Sequence, residues 1–350
     1  MGRSAGISSH HQRRRTRGEP GCRRRAERPA PTPPRRPQLT PPATNHSAPE
    51  PTRLDRSSRI PATPEGLLLV AHGSRCPAGV EEVRALGEAV ADSMPQLSVE
   101  LGFLELADPP AGPVLDELVA RGCGRITVQP LMLLAAGHGK SDVPAVVLEA
   151  RARHPHLEVF FGSPLGVVPE LLSVAATNLA AVGAAGIPLL VVARGTSDPD
   201  ANAEACRAAR LLAEWSGSAE VDVAFTGVTW PSVPEALERV RRLGHQRLAV
   251  FFWFLATGKL VERARDQLAT FAKESGLEVV DAGYFGPDPA LVPVIAQRRA
   301  EALAGIHRTN CDTCSYRVEW PGFADRVGQP RGIGHSALAV EHRHRHVHSR

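Results

Sequence analysis

Leu67-Leu-Leu-Val-Ala-His72-Gly-Ser74 and Leu133-Leu-Ala-Ala-Gly-His138-Gly-Lys-Ser-Asp142 are the two stretches on which the reading of this chain turns. In each, an apolar run of strand length stops at a histidine followed by Gly. This pattern is that of a buried parallel strand delivering an imidazole to the rim of an open sheet. Ligands of doubly wound folds bind at that rim, where the carboxyl ends of the strands lie. Two neighbouring rims would aim His72 and His138 into one cleft.

Outward from these anchors, short apolar runs alternate with longer amphipathic ones. The pattern predicts strands over 67–71, 98–104, 125–130 and 157–161, with helices over 79–94, 113–121, 143–153 and 167–182. Strict alternation implies βαβ units and a parallel sheet. The order then starts again. At an offset of 122, Val191-Val-Ala-Arg194-Gly-Thr196 falls on Leu69-Val-Ala-His72-Gly-Ser74 and Phe225 falls on Phe103. After a one-residue deletion, Leu255-Ala-Thr-Gly258-Lys259 falls on Leu134-Ala-Ala-Gly137-His138. A repeat of this kind has to be found before a fold is assigned. The fold class expected is α/β, with two homologous doubly wound parallel-sheet lobes and a ligand cleft at their junction. The second lobe is a degenerate copy in which Arg194 and Lys259 stand where the first has its histidines. The boundaries expected are a disordered Arg/Pro-rich extension over 1–64, a catalytic lobe over 65–184, the degenerate lobe over 185–305, and a disordered Cys-x-x-Cys and His-rich tail over 306–350.

Composition narrows the function. With 43% hydrophobic and 22% charged residues, the chain has the make-up of a soluble globular protein. The net charge of +4 hides a division: residues 1–64 hold 14 Arg against 4 acidic residues, +10, which leaves −6 for the rest. A folded body of that sign argues against nucleic acid as a partner. The Arg/Pro/Ser-rich start cannot bury enough apolar surface to offset its ordering entropy, so it is expected to be disordered. No apolar run approaches the ~18 residues of a membrane span. Six scattered Cys make no disulfide framework, which points to the cytoplasm.

Glu105 ends the strand Gly102-Phe103-Leu104-Glu105, so a parallel topology brings it to the same edge as the two histidines. Two imidazoles and a carboxylate suit a divalent metal with open positions, and they also suit removal of protons from nitrogen at neutral pH. Other readings of these segments fail on the letters. Gly139-Lys140-Ser141 ends like a P-loop, but Leu134 occupies the position of its first Gly. His72 lacks the preceding Arg of a phosphohistidine phosphatase, since Ala71 is there.

Taken together, the Ala-His72-Gly-Ser and Gly-His138 segments, the Leu104-Glu105 strand end and the degenerate second copy resemble the class II chelatases of the sirohydrochlorin type, in their long two-lobed form. The resemblance covers roughly Leu67 to Leu303. It implies insertion of Co²⁺ or Fe²⁺ into sirohydrochlorin, on the paths to cobalamin and sirohaem, with no cofactor beyond the metal that is itself a substrate. His72, His138 and Glu105 would then hold the metal and serve as the catalytic groups. Ser74, Arg75, Lys140, Arg194 and Lys259 would bind the substrate's carboxylates. The Asn310-Cys311-Asp-Thr-Cys314-Ser-Tyr316-Arg317 segment resembles the C-terminal extension of long members, which in certain relatives carries an iron-sulfur cluster. Cys311 and Cys314 supply only two of the four ligands a cluster or closed zinc site usually takes. The histidine string His342, His344, His346 and His348 reads as a solvated tail or a low-affinity metal reservoir. The partners expected are sirohydrochlorin and a divalent metal, and the protein is expected to be a monomer or homodimer. A reading from another class is a non-catalytic metal or tetrapyrrole carrier on the same fold.

Overall fold

A computed structural model describes residues 64–310 apart from 185 and 219, together with 313, 314, 317–319, 321 and 324–328. The Arg/Pro-rich extension, Cys311 and the histidine string lie outside the described residues.

The first repeat runs β1 (Glu65–Ala71), α1 (Pro77–Ser93), β2 (Ser98–Phe103), α2 (Ala111–Ala120), β3 (Arg125–Pro130), a π-helical turn (His138–Asp142), α3 (Val143–Arg153), β4 (Glu158–Phe161) and α4 (Pro169–Ala181). The second runs β5 (Leu189–Ala193), α5 (Pro199–Ser216), β6 (Val221–Phe225), α6 (Val233–Arg242), β7 (Arg247–Phe252), α7 (Lys259–Ser275), β8 (Glu278–Asp281) and α8 (Leu291–Leu303). Each forms a parallel sheet, ordered β2-β1-β3-β4 in one and β6-β5-β7-β8 in the other.

The continuous apolar runs reflect sheets covered on both faces. In β1, Leu67 and Leu69 point into one core while Leu68 and Val70 point into another, and all four are fully buried. Each such side chain contributes about 2 kcal/mol by burial. β5 divides likewise, with Leu189 and Val191 facing inward and Leu190 and Val192 facing α6 and α7. The inward faces of both sheets feed a single shared core.

That shared core is closed by an exchange of helices. α4 of the first repeat packs on α5 and β7 of the second, and α8 of the second packs on α1, β3 and β4 of the first. Leu171, Ala175 and Leu179 of α4 and Leu291, Val294 and Ile295 of α8 meet in the same cluster as Leu67 and Leu189. Polar bonds fasten the exchange. Asn178 Nδ2 donates to the Tyr284 carbonyl at 3.1 Å, Arg298 donates to the Leu165 carbonyl at 2.7 Å, and Arg299 pairs with Glu65. The sequence boundary between 184 and 185 therefore separates the repeats along the chain, while in space each repeat is completed by the other's last helix.

Two expectations are corrected. The run 133–136 is loop, not strand: β3 ends at Pro130, Gly137 is already helical, and His138 opens the π-helical turn. Proline at the ladder's end donates no hydrogen bond, and the chain leaves the sheet there. The segment after α8 is also no loose appendage at its start. The Arg308 backbone N–H donates to Ser163 Oγ at 2.8 Å, its guanidinium pairs with Glu301, the Thr313 hydroxyl donates to Asp200, and Cys314 is fully buried. Arg308 and Thr313 thus tie the start of the tail to both repeats.

Candidate metal centre

The carboxyl edge of the first sheet assembles three donor groups from the segments that follow β1, β2 and β3. His72 follows β1 directly. Its neighbour Gly73 sits at φ +93°, where a Cβ would stand 1.8 Å from the Glu105 carbonyl oxygen, so only glycine lets the β1 and β2 exits approach this closely. The Glu105 backbone N–H then donates to the His72 carbonyl at 3.0 Å, which holds the two side chains side by side. The π-helical turn after β3 brings in His138, whose ring meets that of His72 edge to face, with centroids 4.3 Å apart. One donor atom from each of His72, Glu105 and His138 lies within 4.8 Å of the others.

The hydrogen bonds decide which nitrogens face the centre. His72 Nδ1 lies 3.1 Å from the Gly73 carbonyl oxygen and donates to it, because a carbonyl can only accept. That leaves a lone pair on Nε2, which is buried and makes no hydrogen bond among the described residues. Nε2 lies 3.3 Å from Glu105 Oε1, so a lone pair faces a carboxylate oxygen. Two acceptors at that distance want a cation between them. Burial, then the positive charges of His138 and Arg194, depress the His72 pKa to about 4, so at neutral pH a proton does not fill the position. His138 Nδ1 donates to the buried Asp142 carboxylate at 2.5 Å, which orients the ring and leaves the lone pair on Nε2. Sequence reasoning misses Asp142; its signal is the His-x-x-x-Asp spacing within one turn.

The residues expected to bind substrate divide. Arg194 reaches the same cleft from the second repeat: its charge acts on His72, and its own pKa is lowered by burial against the opposing pull of Glu105. Lys259 is exposed at the first position of α7. Ser74 accepts from the Cys76 backbone N–H at 3.0 Å and lies beside Gly258 across the seam. Arg75 is exposed on the same loop. Lys140 is corrected. Its side chain is fully buried, with Nζ 2.9 Å from Asp198 Oδ2 and 3.0 Å from Asp200 Oδ2, so its charge is already matched inside the protein. Burial opposes that charge, but the two carboxylates outweigh it and the Lys140 pKa is raised.

Cys314 lies close enough to Lys140 for its charge to act on it, and it belongs to no group of three potential metal ligands among the described residues.

Both repeats, at residues 66–182 and 188–302, match the model of the CbiX family. The chain belongs to the CbiX family. Within it, the chain is 36% identical over 261 residues to the sirohydrochlorin cobaltochelatase of Priestia megaterium, covering 73% of this chain and 85% of that one. To the sirohydrochlorin ferrochelatase of the same organism it is 26% identical, covering 67% of this chain and 89% of that one. Among solved structures, SirB from Bacillus subtilis with Fe³⁺ superposes with a TM-score of 0.63 at 25% identity, covering 69% of this chain and 96% of that one. The CbiX matches leave out the extension and the tail, so the Cys311/Cys314 segment lies outside them.

Proposed function

We propose that this chain is a sirohydrochlorin chelatase that inserts Co²⁺ or Fe²⁺ into sirohydrochlorin in cobalamin or sirohaem biosynthesis. The carrying observation is the buried His72 Nε2 lone pair set 3.3 Å from Glu105 Oε1 beside His138, a cation position with open sides. Membership in the CbiX family and likeness to named cobalto- and ferrochelatases support the substrate.

Metallation requires two pyrrole N–H protons to leave while a hydrated cation sheds water and enters from one face of the macrocycle. His72 Nε2, His138 Nε2 and Glu105 hold the ion on that face. As the metal passes to the ring nitrogens, the released protons pass to His138 Nε2 and the Glu105 carboxylate, while His72, which burial keeps unprotonated, serves as a metal ligand. Asp142 keeps the His138 ring aimed. Arg194 and Lys259 from the second repeat, with Ser74 and Arg75 from the first, hold the macrocycle's carboxylates across the cleft. We place the enzyme in the cytoplasm, as its sparse cysteines suggest, acting as a monomer or homodimer. Among the described residues no helix is long and apolar enough to cross a membrane.

The test is turnover. Purified protein is mixed anaerobically with excess sirohydrochlorin and Co²⁺ or Fe²⁺, and the absorbance change is followed. A chelatase converts many equivalents above the uncatalysed rate, whereas a carrier stops at one equivalent per chain, and that result would overturn the proposal.

A further inference from the structure

Lys140 sits two residues beyond His138 in the same five-residue turn, and the two side chains leave it in different directions. His138 faces the cleft. Lys140 runs into the interior and ends between Asp198 and Asp200 of the other repeat. Those carboxylates stand at the start of α5, where Asp198 Oδ1 also accepts from the Asp200 backbone N–H at 3.0 Å. Further along α5, Asn202 grips the loop that carries Arg194: its Oδ1 accepts from the Thr196 N–H at 3.0 Å, and its Nδ2 donates to the Thr196 carbonyl at 2.7 Å. A continuous line of bonds therefore joins the π-helical turn bearing His138 to the loop bearing Arg194.

Burying an ammonium and two carboxylates is costly, and well-packed apolar side chains would hold a seam at least as firmly. What an ion pair adds is direction: the ammonium has a defined place between two oxygens, whereas an apolar contact tolerates sliding. A matching tie runs the other way. Glu82 of α1 accepts from the Thr257 N–H at 2.7 Å and from the Tyr284 hydroxyl at 2.6 Å, gripping the loop before Lys259. Each repeat thus holds, with acidic side chains from the helix after its first strand, the loop that follows the third strand of the other.

We infer that Lys140 is a positioning residue for the metal centre: through its bonds to Asp198 and Asp200 it sets His138 at a fixed place relative to His72, Glu105 and the cationic rim of the second repeat. The inference rests on the chelatase reading for its consequence in turnover, but its effect on metal binding stands apart from that reading.

The experiment uses Co²⁺ alone as probe, titrated into the full chain and followed by the visible absorption of the bound ion. A His72→Ala/His138→Ala double variant supplies the signal from metal bound elsewhere, including the histidine string, which is subtracted. Lys140→Met should weaken Co²⁺ at the centre about tenfold, as loss of an outer support to a ligand does. It should lower kcat more than it raises KM for sirohydrochlorin. Asp200→Asn, a change in the other repeat that leaves Asp198 in place, should weaken Co²⁺ by a smaller factor of roughly three on the same grounds. Arg299→Met breaks the pair with Glu65 at the opposite edge of the sheet and serves as the structural control: it should lower Tm and leave Co²⁺ affinity unchanged. Lys140→Met behaving like Arg299→Met, with a lower Tm but unaltered Co²⁺ affinity and kcat, would overturn the inference. If Lys140→Met fails to fold, Asp200→Asn decides alone, and unchanged affinity there is equally fatal. Absence of turnover in the unmutated chain, with the Co²⁺ shifts as expected, would sink the chelatase reading and spare this one.

Discussion

The two carboxyl rims of this protein share a backbone and differ in what they present. β1, β2 and β3 of the first repeat end at Ala71, Phe103 and Pro130, and β5, β6 and β7 of the second end at Ala193, Phe225 and Phe252, each 122 residues on. At the positions beyond, the first rim carries His72, Glu105 and His138, whereas the second carries Arg194, Gly227 and Lys259. One rim offers lone pairs and a carboxylate, and the other offers fixed positive charge. The local backbone follows the exchange. In the second repeat α7 starts as ordinary α-helix at Lys259, while in the first the turn from His138 to Asp142 is a π-helix, a form often found at functional sites. On the reading proposed above, duplication has supplied a metal wall and an anion wall from one pattern, and the exchange of α4 and α8 holds the two rims together.

The contrast is broken most severely at the histidines. His72→Ala or His138→Ala should each lower kcat by 10²-fold or more, about 3 kcal/mol of barrier, because each removes a metal ligand from the centre. Arg194→Ala and Lys259→Ala should instead raise KM with a smaller change in kcat, since neither a guanidinium nor an ammonium offers a lone pair. Steady-state kinetics would reverse the assignment of the walls if Lys259→Ala abolished kcat while His138→Ala spared it.

A finer probe of the metal wall is Asp142→Asn. The amide cannot orient and polarise His138 as the carboxylate does, so Co²⁺ affinity should fall by about 10- to 100-fold with little loss of Tm. Isothermal titration of the variant reads this directly, and unchanged affinity would remove Asp142 from the site.

The two rims should also differ in acid. His72 has a folded pKa of about 4 against 6.5 for an ordinary histidine, so between those values the unfolded chain binds the extra proton and the folded one does not. Stability from this group is unaffected above pH 6.5 and falls as the pH drops towards 4, by on the order of 3 kcal/mol. Denaturant melts of the metal-free protein should show that slope, and His72→Gln should flatten it. No corresponding slope is expected from Arg194, which stays charged throughout.

The smallest effect concerns the start of the tail, which bonds to Ser163 of the first repeat and to Asp200 and Glu301 of the second. Truncation after Val318 should leave stability unchanged, whereas truncation after Gly305 removes the bonds of Arg308 and Thr313 and the buried Cys314 and should cost about 1–3 kcal/mol. Thermal melts of the two truncations compare them. Equal Tm values would detach Arg308, Thr313 and Cys314 from the fold.

Much of this architecture is legible in the chain itself. The alternation of short apolar and longer amphipathic runs encodes parallel strands covered on both faces, and the repeat of that alternation reveals two copies. Strand ends in a parallel sheet share one edge by geometry, so the letters bring His72 and Glu105 together, whereas His138 arrives there through the π-helical turn after β3 and not at a strand end. Periodicity reports only which face of an element is buried, so the Leu133–Gly137 run passes for a strand although Pro130 has already ended one. Lys140 passes for a surface cation for a similar reason: nothing local distinguishes a lysine that meets solvent from one that meets two aspartates 58 and 60 residues away.

By itself, then, the sequence determined the elements, the duplication and the placing of His72 and Glu105 at one edge, because each depends on neighbours in the chain or on a shared sheet edge. The tertiary structure alone decided that α4 and α8 change places, that Asp142 stands behind His138, and that Lys140 pairs with Asp198 and Asp200 of the other repeat. Those outcomes depend on which apolar faces and which buried charges find one another across the seam, and the free energy of that choice is spread over residues far apart in the chain.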